Sequence, residues 1–335
     1  MKKTLIIAEA GVNHNGSMAI AKKLIKAAKF AGADYVKFQS YVTDELCTQY
    51  AKKSTYQYKN TSNKETMYQM LKKYELKITD FKQLKEFAKK LNIKIISTAF
   101  DFSSAKELNS IGIPIFKTAS SDITNLPLLK YISSFKKPMV VSTGRAYLKE
   151  VEEAVKIIKK YGNKDISILH CVSNYPTDFK DLNLNVIKKL KNKFKCKVGF
   201  SDHTDGIHGP IAAICCGATI IEKHITLSKK MKGPDHSSSI EPSEFKQMIS
   251  NIRDVEKSFG VNIKKPAKSE LKGRITSMKS LVARVNIPKG TKFSVENISI
   301  KRPGSGIRPS NYLKILGKKS KRNLKFDQLI KNEDF

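Results

Sequence analysis

The chain has 335 residues, 40% of them apolar, which is enough for one large domain with a buried core and a small appendage. Its formal net charge of +33 would by itself suggest nucleic acid or an anionic membrane. The excess is almost all lysine scattered through every amphipathic segment, however, which argues for solvated helix faces and against nucleic acid, while leaving a field that collects anionic substrates.

Cys47, Cys171, Cys196, Cys215 and Cys216 are odd in number and show no CxxC spacing, which indicates reduced thiols rather than a disulfide frame or a zinc knuckle. The start Met1-Lys2-Lys3 with its apolar run resembles a signal peptide, but Glu9 interrupts it. No apolar run approaches the roughly 20 residues of a membrane span. A soluble, cytoplasmic protein with no membrane partner is expected.

The first predicted strand, Leu5–Ala8, runs into Glu9 and Gly11-Val12-Asn13-His14-Asn15-Gly16, and Ser17 caps a helix whose Met18, Ala21, Leu24, Ile25 and Ala28 follow helical spacing. The unit then repeats. Strand Tyr35–Phe38 carries Lys37 and Gln39; Lys94–Phe100 includes Thr98; Pro114–Lys117 leads into Ser120-Ser121-Asp122; Pro138–Val141 ends at Ser142. Ile166–Leu169 is followed by Cys171, Ser173 and Tyr175, Lys197–Phe200 by Ser201-Asp202-His203, and Thr219–Ile221 by Glu222-Lys223-His224.

Eight short buried strands alternating with amphipathic helices call for parallel pairing through right-handed crossovers, and eight closes a (β/α)8 barrel over residues 1–260. A doubly wound open sheet would not need polar groups at all eight strand ends. Residues 41–75 are too long for a plain connection and are read as a lid or partner contact. The Lys, Pro and Ser composition of 261–276 reads as a linker, and 277–335 as a small, mostly β domain with strands at Ser280–Ile287, Phe293–Ile300 and Leu316–Leu324.

His203 and His224 end neighbouring strands, so both imidazoles can reach one divalent ion, with Asp202 and Glu222 as candidates to orient the rings. Two protein nitrogens leave room for water and substrate oxygens, as a Lewis acid requires. Lys37, Thr98, Ser120, Ser142, Ser173 and Ser201 offer a point charge and several hydroxyls suited to a phosphate. Glu9, Gln39, Asp122, Tyr175 and Asp235 suit a polyol or an amide-bearing sugar. Neither GxxxxGK[ST] nor a GxGxxG after a strand is present, and Cys215-Cys216 on an apolar stretch is read as core.

Seven ordered motifs, IIAEAGVNHNG (6–16), VKFQS (36–40), LHCVSNYPT (169–177), VGFSDHT (198–204), IEKHITL (221–227), GPDH (233–236) and KRPGSG (301–306), together resemble the sialic acid synthase family. The resemblance covers nearly the whole chain, and the C-terminal piece is similar to that family's antifreeze-like (SAF) domain. It implies condensation of phosphoenolpyruvate with an N-acylated mannosamine and water, with loss of phosphate. It implies that His203 and His224 hold manganese or a similar ion (magnesium, cobalt), and that Lys37, Thr98, Ser120, Ser142, Ser173 and Ser201 surround phosphoenolpyruvate.

By the same resemblance Gln39, Tyr175, Asp235 and Glu9 contact the sugar, Glu9 or Asp122 serves as acid or base, and Arg302 reaches the partner's barrel in a domain-exchanged homodimer. One departure stands out: Ser120-Ser121-Asp122 occupies the place where the family usually reads Ser-Gly-Glu. It leaves the sugar open between N-acetylmannosamine, the first expectation, and the 2,4-diacetamido-trideoxy hexoses of legionaminic and pseudaminic acid synthases. A metal-dependent barrel hydrolase and a non-catalytic basic binding protein are the more distant alternatives.

Overall fold

A computed structural model describes residues 3–62 and 64–335. The chain divides into two compact units, residues 1–260 and 261–335. In the first, eight parallel strands close a barrel in sequence order: β1 (Leu5–Gly11), β2 (Tyr35–Ser40), β3 (Lys94–Ala99), β4 (Phe116–Thr118), β5 (Met139–Ser142), β6 (Ile166–Cys171), β7 (Lys197–Asp202) and β8 (Ile220–His224). The predicted (β/α)8 architecture is therefore present.

Several strands run further than expected. Expectation ended them at Ala8, Phe38, Leu169, Phe200 and Ile221, but Glu9, Gln39, Cys171, Asp202 and His224 lie within the ladders. Backbone pairing is indifferent to side-chain polarity when alternate residues face a polar barrel mouth.

Strand alternation sorts the core into two parts. Outward residues such as Phe38, Phe116, Val141 and Phe200 pack against the helices in one large cluster. Inward Ile7, Tyr35, Ile96, Val140, Leu169 and Ile220 form a separate apolar layer that fills the barrel below the polar groups. The helix Met18–Ala31 begins where Ser17 accepts from the Ile20 amide and ends at Gly32 in the left-handed region, φ 89°.

Residues 41–75 carry three short helices, Thr43–Leu46, Thr55–Asn60 and Met67–Tyr74. Met70 and Leu71 pack with Val12 and Tyr41 in a small core of their own at the mouth end. Cys215 is exposed and Cys216 half-buried, so this pair is not the core element the apolar sequence suggested; both sit where the helix His208–Cys215 ends.

In the second unit Ser280–Ala283 pairs antiparallel with Ile298–Lys301 around Leu281, Phe293, Ile298, Ile315 and Leu324. The longer strands expected there are not formed. Single bridges such as Ile287 to Leu324 replace them, and Tyr312–Ile315 is helical. Asn286 and Asn297 side chains bond the Phe326 and Ser294 amides, which competes with regular ladders. Within the expected linker, Leu271–Ser277 forms a short helix.

Candidate active site

The inward residues just above the apolar layer form a buried charged ring. Lys37 Nζ lies 2.9 Å from Glu9 Oε2, 3.7 Å from Glu222 Oε1 and 3.0 Å from Thr98 Oγ1. Opposite it, Lys117 Nζ lies 3.7 Å from Glu222 Oε1 and donates to Ser142 Oγ at 2.6 Å, while Ser201 Oγ donates to Glu222 at 3.1 Å.

Two cations and two carboxylates thus neutralise one another in a dry site. Burial pushes Glu9 up to about 7 despite the pull of Lys37. Burial lowers Lys117 against the pull of Glu222, whereas Lys37 is carried above its usual value because Glu222 and Glu9 outweigh the cost of burial. Burial also works against ionised Glu222, but Lys117 and Lys37 hold it below the usual carboxylate range.

Lys117 and Glu222 are the functional candidates that sequence reasoning underrated. Lys117 was one lysine among dozens, and only its place inside the short buried run Ile-Phe-Lys-Thr, with inward parity shared by Thr98 and Ser142, could have marked it. Glu222, expected to orient a histidine, instead bridges the two lysines. Asp202, given the same role, turns to Lys223 on the outer face. The backbone carbonyl of Val172 holds His203, 2.7 Å from Nδ1.

Above the ring, Ser120, Ser173 and Cys171 converge on Gly144. A Cβ there would overlap Ser173 Oγ and come within 2.8 Å of Ser120 Oγ, and the Gly144 amide donates to Ser120 Oγ at 2.9 Å. Only glycine lets the backbone pass this close to the two hydroxyls and the thiol. On the other side Glu9, Gln39 and Asp235 surround Gly11, each with a polar atom within 3.6 Å of where its Cβ would stand. Gln39 Nε2 donates to Glu9 Oε1 at 3.3 Å.

Burial raises Asp235 to about 6. It raises Asp122 to about 6 as well, with Asn125 and Ser121 as weak hydrogen-bond partners at 3.4 and 3.5 Å. Asp122 sits on a short 3-10 turn after β4, buried beside the mouth.

The His203 and His224 rings lie 5.6 Å apart between centroids, both buried. His224 Nδ1 has no hydrogen-bond partner, and burial holds its ring well below the usual titration range, which favours the neutral imidazole that a metal ligand must be. These features suit a divalent ion held by two nitrogens. Among the described residues no group of three or more His, Cys, Asp or Glu converges at ligand spacing.

Tyr175 lies over His203 with centroids 4.2 Å apart, and Tyr56 of the 41–75 excursion stacks on Tyr175 at 4.8 Å. Asn60 donates to Pro234 O and Ser237 Oγ, both at 2.9 Å, tying the excursion to the loop that carries Asp235. The excursion thus covers the mouth, beside a cleft of about 620 Å³ lined by Tyr56, Asn60, Arg145, Ser173 and Tyr175 among others.

Of the residues singled out by sequence, the structure brings Glu9, Lys37, Gln39, Thr98, Ser120, Asp122, Ser142, Ser173, Tyr175, Ser201, His203, His224 and Asp235 to one end of one barrel. Arg302 lies in the second unit, exposed on the turn after Ile298–Lys301. No helix of the described residues is long and apolar enough to cross a membrane.

Comparison with known proteins agrees with this geometry. The NeuB family model matches residues 24–264 and the SAF domain model residues 279–335. The chain is 49% identical over 333 residues to the N,N'-diacetyllegionaminic acid synthase of Campylobacter jejuni, spanning 99% of this chain and 100% of that one. It is 42% identical over 323 residues to the synthase of the same name from Legionella pneumophila, spanning 95% and 91%.

The crystal structure of N-acetylneuraminic acid (sialic acid) synthetase from Leptospira borgpetersenii superposes with a TM-score of 0.72 at 36% identity, over 81% of this chain and 90% of that one. The chain belongs to the NeuB family of sialic-acid-type synthases, with a SAF domain following its barrel.

Proposed function

We propose that the chain condenses phosphoenolpyruvate with a 2,4-diacetamido-trideoxy mannose and water, yielding a legionaminic-acid-type product and phosphate. The observation that carries this reading is nearly full-length identity of 49% and 42% to two proteins named N,N'-diacetyllegionaminic acid synthase. N-acetylmannosamine, the first expectation from sequence, is the second reading, favoured by the likeness to the Leptospira enzyme at 36% identity.

In the proposed reaction C3 of phosphoenolpyruvate bonds to the aldehyde carbon of the open-chain sugar, and water adds at C2. One proton reaches the aldehyde oxygen as another leaves the water. The C–O bond to phosphate then breaks, leaving a C2 ketone and inorganic phosphate. Lys37 and Lys117 neutralise the phosphate and carboxylate, with the hydroxyls of Thr98, Ser120, Ser142, Ser173 and Ser201 around them.

Gln39, Tyr175 and Asp235 orient the sugar, while Glu9 and Asp122, raised toward neutrality, can hold and release the proton. His203 and His224 would hold a divalent ion, with manganese first and magnesium or cobalt as alternatives; when bound it supplies Lewis acidity toward the sugar carbonyl. Arg302 is proposed to complete the site of a partner in a domain-exchanged homodimer.

The test is mass spectrometry of products formed from phosphoenolpyruvate, Mn2+ and a panel of mannosamine derivatives. A nonulosonic acid formed fastest from the 2,4-diacetamido sugar is expected. Preference for N-acetylmannosamine would move the sugar assignment, and no phosphate release with any sugar would overturn the reaction.

A further inference from the structure

The last rung of the ladder between β7 and β8 pairs Asp202 with Lys223. By strand alternation both side chains point away from the barrel axis, opposite to His203 and His224, which follow them in sequence. Lys223 Nζ lies 2.5 Å from Asp202 Oδ2 and 2.6 Å from the Thr204 carbonyl oxygen. Asp202 in turn accepts from the Thr204 amide at 3.1 Å and from Thr204 Oγ1 at 3.0 Å. One ammonium therefore grips the residues on both sides of His203 and itself adjoins His224.

The helix His208–Cys215 closes over this pair at Gly209, where a Cβ would stand 2.9 Å from Asp202 Oδ1 and 3.0 Å from Thr204 Oγ1. The side chains are 1% and 0% exposed. An ion pair this dry adds little stability over apolar residues of similar volume, because desolvation offsets its attraction; what it supplies is fixed geometry. That geometry matters here because no hydrogen bond from Nδ1 fixes the His224 ring, which leaves its backbone position and its packing against Tyr175 and His203 to place it.

We propose that Lys223, Asp202 and Thr204 form a clamp that sets the spacing of His203 and His224, and so act as positioning residues for divalent-ion affinity. The inference rests on the reading of the two histidines as ion ligands. The test is titration of the metal-free full chain with Mn2+, followed by electron paramagnetic resonance, for wild type and for the double variant Asp202→Leu/Lys223→Met, which leaves no unpaired buried charge.

We expect the double variant to bind Mn2+ about 10–100-fold more weakly, the range seen when groups supporting metal ligands are altered, with turnover recovering at saturating Mn2+. Equal affinity in the two proteins would overturn the clamp and leave the ion site standing, whereas absence of Mn2+ binding by wild type would overturn the ion reading together with it. Should the double variant not fold, Asp202→Asn keeps the side-chain shape but takes away the carboxylate that Lys223 pairs with, and so should also weaken Mn2+ binding. Wild-type affinity in that variant would likewise overturn the clamp.

Discussion

The ring of Tyr175 covers that of His203 at a centroid distance of 4.2 Å, and Tyr56 in turn stacks on Tyr175. The aromatic pile links the excursion at 41–75 to the His203 ring, so under the proposed function the excursion would border the sugar. Tyr56→Ala removes a stacking contact worth about 1 kcal/mol. The expected result is a rise of roughly 5-fold in KM for the sugar with KM for phosphoenolpyruvate unchanged, read from steady-state kinetics. A change confined to phosphoenolpyruvate would contradict this placement.

Lys117 donates to Ser142 and faces Glu222, so it stands where an anionic substrate group would be met. Lys117→Met is expected to lower kcat/KM for phosphoenolpyruvate by about 10²–10³-fold, comparable with loss of a buried charge-stabilising donor. The fold should also lose about 3 kcal/mol, because Glu222 keeps only Lys37 as a counter-charge. Kinetics and denaturant melts separate the two effects.

Asp122 illustrates a pH effect with a definite sign. Burial raises its carboxyl from 3.8 to about 6, so the folded state holds this proton more tightly than the unfolded chain does. Its contribution to stability is full below about 4 and is lost as pH rises through about 6. Asp122→Asn removes that loss. The variant should gain on the order of 1–3 kcal/mol over wild type between pH 4 and 6, and hold the gain at higher pH. Parallel stability curves would show that Asp122 is not held protonated.

His203→Ala or His224→Ala should abolish turnover while shifting Tm by only a few degrees, since neither ring belongs to the packed apolar layer and His203 gives up only its bond to the Val172 carbonyl and a long contact with Cys171 Sγ. Chelator treatment of wild type should do the same, with recovery on adding Mn2+. Full activity in either variant would remove the histidines from the proposed ion site.

Arg302 permits a complementation test of domain exchange. Arg302→Ala and His203→Ala should each be inactive, but co-refolded in equal amounts they should regain about a quarter of wild-type activity. Half of the random dimers are then mixed, each with one of its two sites intact. No recovery would mean that Arg302 does not act across subunits.

Much of this was legible from sequence because a parallel barrel repeats itself. Each short apolar run, each polar cluster at its end and each helical stripe such as Leu24, Ile25 and Ala28 is a local pattern, and eight repetitions leave little choice of closure. His203, His224 and the serines could be picked because histidine and repeated hydroxyls at strand ends are conspicuous.

Lys117 and Lys223 were not conspicuous, and Glu222 was marked only as a candidate to orient a histidine. In a chain this rich in lysine, composition cannot tell a solvated amine from one sealed in the barrel, and only inward or outward parity separates Lys117, which faces Glu222 inside the barrel, from Lys223, which pairs with Asp202 on its outer side. The excursion was visible as an excess of chain, but its contacts from Tyr56 to Tyr175 and from Asn60 to Pro234 join residues more than a hundred positions apart, which no local pattern encodes.

The sequence by itself determined the strand count, the barrel and the chemical types gathered at its mouth, because these follow from periodicity and from the covalent order of strand and loop. Only the tertiary structure decided which charges meet. The pairing of Glu9 with Lys37, of Glu222 with both Lys37 and Lys117, and of Asp202 with Lys223 depends on ångström-scale register between strands, and electrostatic energy in a dry site changes steeply over such distances.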